Sequence, residues 1–211
     1  NVFVPPASAL DGSDTLPDKK GYSFDACSPA YFIKYASVYN NRIIFPSGAS
    51  YTLLVMPQTE TMTPELFDKI STLLRGGAFI AGRRPLKSPS LSGYPTCDEK
   101  LVRLTETIWE LKWSQGKSQI KYINGTLFKM DEDSDGNTSP GNKHFDIYPD
   151  YDTIASILKG MGTEPDFTCS GKIRYNHRRF PGRHIYFISN RTGETVYDTC
   201  RFRDGSVKSE I

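Results

Sequence analysis

Apolar residues recur along this chain at two periods, and the change from one to the other marks its organisation. Val2-Phe3-Val4 is a short apolar run stopped by Pro5-Pro6, and residues 7–20 are rich in Ser, Asp, Gly, Pro and Lys, which predicts a strand and then a loop. Ser28 is a natural N-cap with Pro29 at the first helical position, so a helix is expected through Phe32, Ile33 and Ala36. Arg42 to Phe45 and Tyr51 to Met56 are β-rich runs separated by the turn-forming Pro46-Ser47-Gly48. Thr63 then caps a helix with Pro64 at its first position. Its apolar residues Leu66, Ile70, Leu73 and Leu74 share one face, and Gly76-Gly77 ends it. Ala78 to Gly82 follows at once as another strand. Strand, helix and strand with short joins make a βαβ unit, and hence a parallel pair.

Further helices are expected after Asp98, with Leu101, Leu104, Ile108 and Leu111, and after Asp150, with Ile154, Ile157, Leu158 and Met161. Between them Gln119 to Met130 reads as a hairpin turning at Asn124-Gly125. From Ile173 the period becomes strictly two. Tyr175 and His177 alternate with Arg174, Asn176 and Arg178; Pro181-Gly182 makes a turn, and His184 to Ser189 and Thr195 to Phe202 continue as strands. The expected fold is therefore α/β with a C-terminal antiparallel β unit, divided as residues 1–167 and 168–211.

Composition bounds the function. A chain of 211 residues buries roughly 70% of its unfolded surface without a disulfide or metal staple. Twenty-six basic and 24 acidic side chains leave a net charge of +2, which argues for no polyanionic partner. The longest apolar run, Tyr51 to Met56, is far short of the ~18 residues of a membrane helix. The chain starts at Asn1 without a signal-like stretch, and reads as a piece of a longer protein. Cys27, Cys97, Cys169 and Cys200 form no C-x-x-C pair, so they are expected as thiols; their even number permits disulfides without implying them.

Candidate chemistry is sparse. No strand leads into a G-x-S-x-G elbow, a Walker loop or a G-x-G-x-x-G turn. Asp131-x-Asp133-x-Asp135-Gly136 with Asn137 resembles the first half of a calcium loop, but Asn142 stands where the bidentate Glu belongs; the competing reading is a solvated acidic loop. Calcium is the only cofactor suggested. Residues 172–191 carry six basic side chains, no acidic ones and four aromatics, a pattern of nucleic-acid surfaces but equally of a half-buried hairpin, which is favoured. His177 points inward by its alternation, as structural histidines do. Glu60 follows a parallel strand at the position where open sheets hold ligands, beside the loop Arg83 to Ser88. No second carboxylate completes a glycosidase pair.

Several runs nevertheless form a pattern. Tyr51-Thr52-Leu53-Leu54-Val55-Met56-Pro57, Thr61-Met62-Thr63-Pro64-Glu65 and Ser88-Pro89-Ser90-Leu91-Ser92-Gly93-Tyr94-Pro95 are followed by Gly162-x-x-Pro165-Asp166-Phe167, Tyr175-x-His177-Arg178-Arg179, Ile185-Tyr186-Phe187-x-x-Asn190-Arg191 and Phe202-Arg203. Together with Gly21-Tyr22-x-Phe24-Asp25 they resemble glycoside hydrolase family 106, the α-L-rhamnosidases and their relatives, over nearly the whole chain. The resemblance implies an accessory piece downstream of a catalytic (β/α)₈ barrel, inactive alone, in a periplasmic or extracellular enzyme. Its α/β body would be a flavodoxin-like doubly wound sheet, similar to class I glutamine amidotransferase domains but without their nucleophile. The family's catalytic carboxylates lie on the barrel, and neither matches a position here. The implied partners are the other domains of the parent and a rhamnoside-containing glycan, with Tyr22, Asp25, Glu60, Arg84 and His177 as candidates for edging the sugar site. The alternative is a free-standing carbohydrate- or nucleic-acid-binding module that uses the basic C-terminal hairpin.

Overall fold

The computed structural model describes residues 20–89, 93–109, 119–130, 149, 151–171, 173–190 and 192–203. These fall into two compact units, one built between Ala26 and Asp150, the other from the segment up to Asp25 together with the chain from Tyr151 onward.

The first unit opens with helix α1 (Pro29–Tyr35), whose cap is Ser28: its hydroxyl accepts from the Tyr31 amide. A three-stranded antiparallel meander follows, β1 (Ser37–Tyr39), β2 (Arg42–Ile44) and β3 (Ser50–Tyr51). The run from Tyr51 to Met56 is not one strand. Tyr51 pairs with Ile43 in the meander, while β4 (Leu54–Val55) pairs in parallel with β5 (Phe79–Gly82) in a different sheet. The bend at Thr52 hands the chain from one sheet to the other.

Helix α2 (Pro64–Arg75) joins β4 to β5, capped by the Thr63 hydroxyl on the Leu66 amide at 3.3 Å. Its buried face is Phe67, Ile70, Leu73 and Leu74; Leu66, expected to be inward, is only half-buried, and Phe67 takes the deep position instead. Each such side chain contributes about 1.5–3 kcal/mol by leaving water. Helix α3 (Cys97–Trp109) buries Leu101, Thr105 and Ile108, and its Trp109 ring lies 5.9 Å from that of Phe67. Asp98 is not its cap. It lies in the first turn, where its carboxylate accepts from the Ser88 amide at 2.7 Å.

The sheet is completed by the hairpin of β6 (Gln119–Tyr122) and β7 (Gly125–Lys129), giving the order β4-β5-β7-β6 with β6 alone antiparallel. Both parallel crossovers step the same way, so by the right-handed rule their helices lie on one side of the sheet, as the packing of α2 on α3 requires. The architecture is mixed α/β. The hairpin turn is one residue earlier than the Asn-Gly signal suggests: Tyr122 pairs with Gly125, Ile123 and Asn124 form the loop, and Ile123 has φ +58°. Gly125 serves a different purpose. A Cβ on it would overlap the carbonyl oxygen of Leu74 and lie 2.6 Å from that of Ala78.

The second unit contains helix α4 (Tyr151–Gly160), a two-stranded ladder of β8 (Phe167–Thr168) with β11 (Arg201–Phe202), and a long hairpin of β9 (Ile173–Phe180) with β10 (Arg183–Asn190). The hairpin turns at Pro181-Gly182, with Gly182 at φ +70°, as its sequence demands. The strand expected from Thr195 shortens to Arg201–Phe202. Val2 to Val4, Leu111 and Asp150 lie outside the described residues.

Gly125→Ala is expected to destabilise the first unit by about 2–3 kcal/mol, because the overlapping atoms are backbone and cannot rotate away. Gly160→Ala, with open space around it, is expected to be neutral or stabilising by up to about 1 kcal/mol. Urea unfolding of both variants checks the contrast.

Candidate functional site

Asp166 is the chemical centre of the second unit. It stands immediately before β8 with 6% of its surface exposed, unusual for a carboxylate. Oδ2 lies 2.8 Å from Nδ1 of His177, and Oδ1 accepts from the Tyr186 hydroxyl at 3.1 Å and from the Arg203 guanidinium at 3.0 Å. The backbone is fixed as well: the Asp166 amide donates to the Gly21 carbonyl and its carbonyl accepts from the Arg203 amide.

The hairpin explains how His177 and Tyr186 arrive together. They are directly opposed in the β9–β10 register, so their side chains leave the same face, and the rings stack at 4.0 Å with 8° between planes. On the same face the Nε2 of His177 lies 2.9 Å from Nδ1 of His184. This makes a chain of Asp166, His177 and His184 running from a buried carboxylate to an exposed imidazole. A carboxylate only accepts, so His177 donates from Nδ1. With both rings neutral, His177 Nε2 then accepts from His184; a protonated His177 donates to it instead.

Aromatic rings close the surroundings. Phe167 meets Tyr175 and Phe202 at 4.8 and 5.4 Å, and Tyr186 meets Phe202 edge-on at 4.9 Å. Tyr175 donates to the Gly21 carbonyl at 2.9 Å, and its phenol is pushed up from its ordinary value chiefly by burial.

Tyr22 reaches the Thr163 carbonyl at 2.8 Å; burial first, then the Glu164 carboxylate, raises its phenol, so it stays a donor at neutral pH. Asp25 is exposed at the edge of the same unit. Glu60 and Arg84 belong to the first unit, at the ends of β4 and β5. There the loops are zipped together: Leu86 and Lys87 amides donate to the Glu60 carbonyl, Glu60 holds Arg83 at 3.0 Å, and Arg84 donates to the buried Thr105 hydroxyl at 3.2 Å. The loops after β4 and β5 are thus tied to each other and to α3. Asp131, Asp133, Asp135 and Asn137 lie outside the described residues, among which no three His, Cys, Asp or Glu gather as metal ligands.

The family model described as alpha-L-rhamnosidase, glycoside hydrolase family 106, matches residues 7–211. The chain belongs to glycoside hydrolase family 106. A curated relative, the putative beta-glucuronidase of Formosa agariphila, is 29% identical over 202 residues, covering 93% of this chain and 14% of the relative. The solved rhamnosidase from Novosphingobium sp. PP1Y shares the fold with a TM-score of 0.56 at 23% identity, over 74% of this chain and 13% of that one. The chain thus spans about one-seventh of the length of either.

Of the residues that make the centre in this family 106 chain, only His177 stands out as a candidate from sequence. His184 and Tyr186 were recoverable from it, because a two-residue turn at Pro181-Gly182 fixes the register that opposes Tyr186 to His177. Asp166 and Arg203 carried no signal beyond their place in the family pattern. No helix among the described residues is long and apolar enough to cross a membrane.

Asp166→Ala should cost about 3 kcal/mol of unfolding free energy, since it leaves three donors without their acceptor. Arg203→Ala should cost about 1 kcal/mol or less, as 43% of that side chain is exposed. Denaturant titration separates the two. A second carboxylate, Asp198, accepts from the Ser170 hydroxyl at 2.6 Å and from the Ser170, Gly171 and Thr199 amides. These hold its pKa below the ordinary 3.8, the Ser170 hydroxyl most. A depressed folded pKa stabilises above the unfolded value and is lost as pH falls through the folded one. The melting-temperature gap between the native chain and Asp198→Ala should therefore be constant above pH 3.8 and narrow below it, as read by circular dichroism.

Proposed function

We propose that this chain is an accessory domain of a larger α-L-rhamnosidase-like glycosidase, acting outside the cytoplasm, that braces a catalytic barrel and edges its sugar site. The observation that carries this reading is the state of the carboxylates. Glycoside hydrolysis needs two carboxyl groups facing one bond. Asp166 has its oxygens engaged by His177, Tyr186 and Arg203, and Glu60 is tied to Arg83 in the other unit. Both act as anchors for their loops. The short span of this chain against its relatives supports the same division of labour.

Within this reading the parallel core of β4, α2, β5, α3 and β7 is one half of a flavodoxin-like doubly wound sheet of the amidotransferase kind, used as a scaffold. The sugar would meet the second unit, where Tyr22 and the His177–His184 pair offer the mixture of ring faces and hydrogen-bonding groups that holds neutral sugars. The family match gives no support to a free-standing nucleic-acid module.

The isolated 211-residue chain, with its folding confirmed by circular dichroism, should release no aryl alcohol from an aryl α-L-rhamnoside above the buffer rate. Turnover at enzyme-like rates would overturn the proposal, as would a parent reading frame without a barrel-sized region upstream.

A further inference from the structure

We propose that Cys169 and Cys200 are the two halves of a disulfide that closes the second unit around the β9–β10 hairpin. The inference is independent of the glycosidase reading and comes from the register of the short β8–β11 ladder. Phe167 is opposed to Phe202 and Thr168 to Arg201. Continuing by one residue on each strand opposes Cys169 to Cys200.

Side-chain contacts tie the two segments together just past the last ladder pair, where the chain bends at Ser170 and Gly171. The Ser170 and Gly171 amides both donate to the carboxylate of Asp198, the residue opposite Gly171 in the same register. A Cβ on Gly171 would lie 2.8 Å from that carboxylate. The Cys200 thiol is pushed up by burial and then by the neighbouring Cys169 and Asp198.

The hydrogen-bond alternation decides the kind of pair. The Arg203 amide donates to the Asp166 carbonyl, so that opposed pair is hydrogen-bonded. Alternation then makes Phe167–Phe202 non-bonded, Thr168–Arg201 bonded and Cys169–Cys200 non-bonded. Non-bonded antiparallel pairs have the closer spacing, about 4.5 Å between Cα atoms, which lies within the disulfide range. Side chains of such a pair leave the same face. The Phe167 and Phe202 rings, two residues back on each strand, do so and touch at 5.4 Å.

Both residues are half-buried free thiols in the structure. Cys169 lines an open surface depression with Ser170, Asp198 and Thr199, where an oxidant reaches it. The oxidant is a disulfide, either of a small thiol such as glutathione or of a thiol–disulfide exchange protein. The Cys169 thiolate attacks one of its sulfurs and expels the first thiolate. The Cys200 thiolate then attacks Cys169 in the mixed disulfide and expels the second. Two cysteine thiols are oxidised by two electrons, one external disulfide is reduced to two thiols, and the two protons leave with them.

The test uses the whole chain equilibrated across a range of glutathione and glutathione-disulfide ratios, then alkylated under denaturing conditions. At oxidising ratios the expected product carries alkyl groups only on Cys27 and Cys97, is lighter by two hydrogen atoms than a doubly alkylated chain with free Cys169 and Cys200 thiols, and yields one cross-linked peptide joining Cys169 to Cys200. Reduction should lower the melting temperature of the second unit by on the order of 10 °C, given a closed loop of about 30 residues. Cys169→Ser and Cys200→Ser should each abolish that difference. Four alkylated cysteines at every ratio, a bridge involving Cys27 or Cys97, or a glutathione adduct that stops at Cys169 would overturn the proposal. The mass and peptide readings on the native chain stand even where a serine variant does not fold.

Discussion

A single buried carboxylate organises the second unit. Asp166 draws in the end of β11 through Arg203, β9 through His177 and β10 through Tyr186, and its amide holds the segment at Gly21. A carboxylate removed from water is tolerated only with its lone pairs engaged, and every group that engages this one comes from a different strand or segment. The short ladder of β8 with β11 could not support itself on two residue pairs. The polar network and the rings around Phe167 together replace the aliphatic core that such a small unit cannot build.

The first unit is held by the opposite means. Its interior is aliphatic and aromatic, with Phe67, Leu74, Ile80, Leu101 and Ile108 almost wholly removed from water. Side-chain and backbone polar contacts tie the loops after β4 and β5 to each other and to α3, at the strand ends where a parallel sheet ordinarily offers its crevice to a ligand. Glu60 and Arg84 take part in these contacts.

How much of this was legible in the sequence depended on how local the cause was. Caps and turns were readable because one residue type serves one backbone geometry: Ser28 and Thr63 cap, and Pro181-Gly182 turns. The run from Tyr51 to Met56 reads as one strand in the sequence, since an apolar run does not say which sheet each residue joins. Gly125 reads as a turn residue in the sequence, although the reason for it lies in the approach of the Leu74 carbonyl from far along the chain. Asp166 was hidden for the same cause. Its side-chain partners lie up to 37 residues away, its amide's partner Gly21 is farther still, and nothing near it in sequence marks it as buried. His177 was readable as inward, but not as the middle of a chain of three groups.

The handover at Thr52 has a bearing on how the molecule behaves among copies of itself. An exposed sheet edge is a template on which a second chain can add a strand, and long flat edges are where aggregation starts. Among the described residues the first unit's four-stranded sheet ends on β4, which is two residues long because the chain has already turned away to pair Tyr51 with Ile43. So short an edge offers an incoming strand only a hydrogen bond or two. The same bend that builds the meander thus keeps a β-rich protein from growing by strand addition on that side.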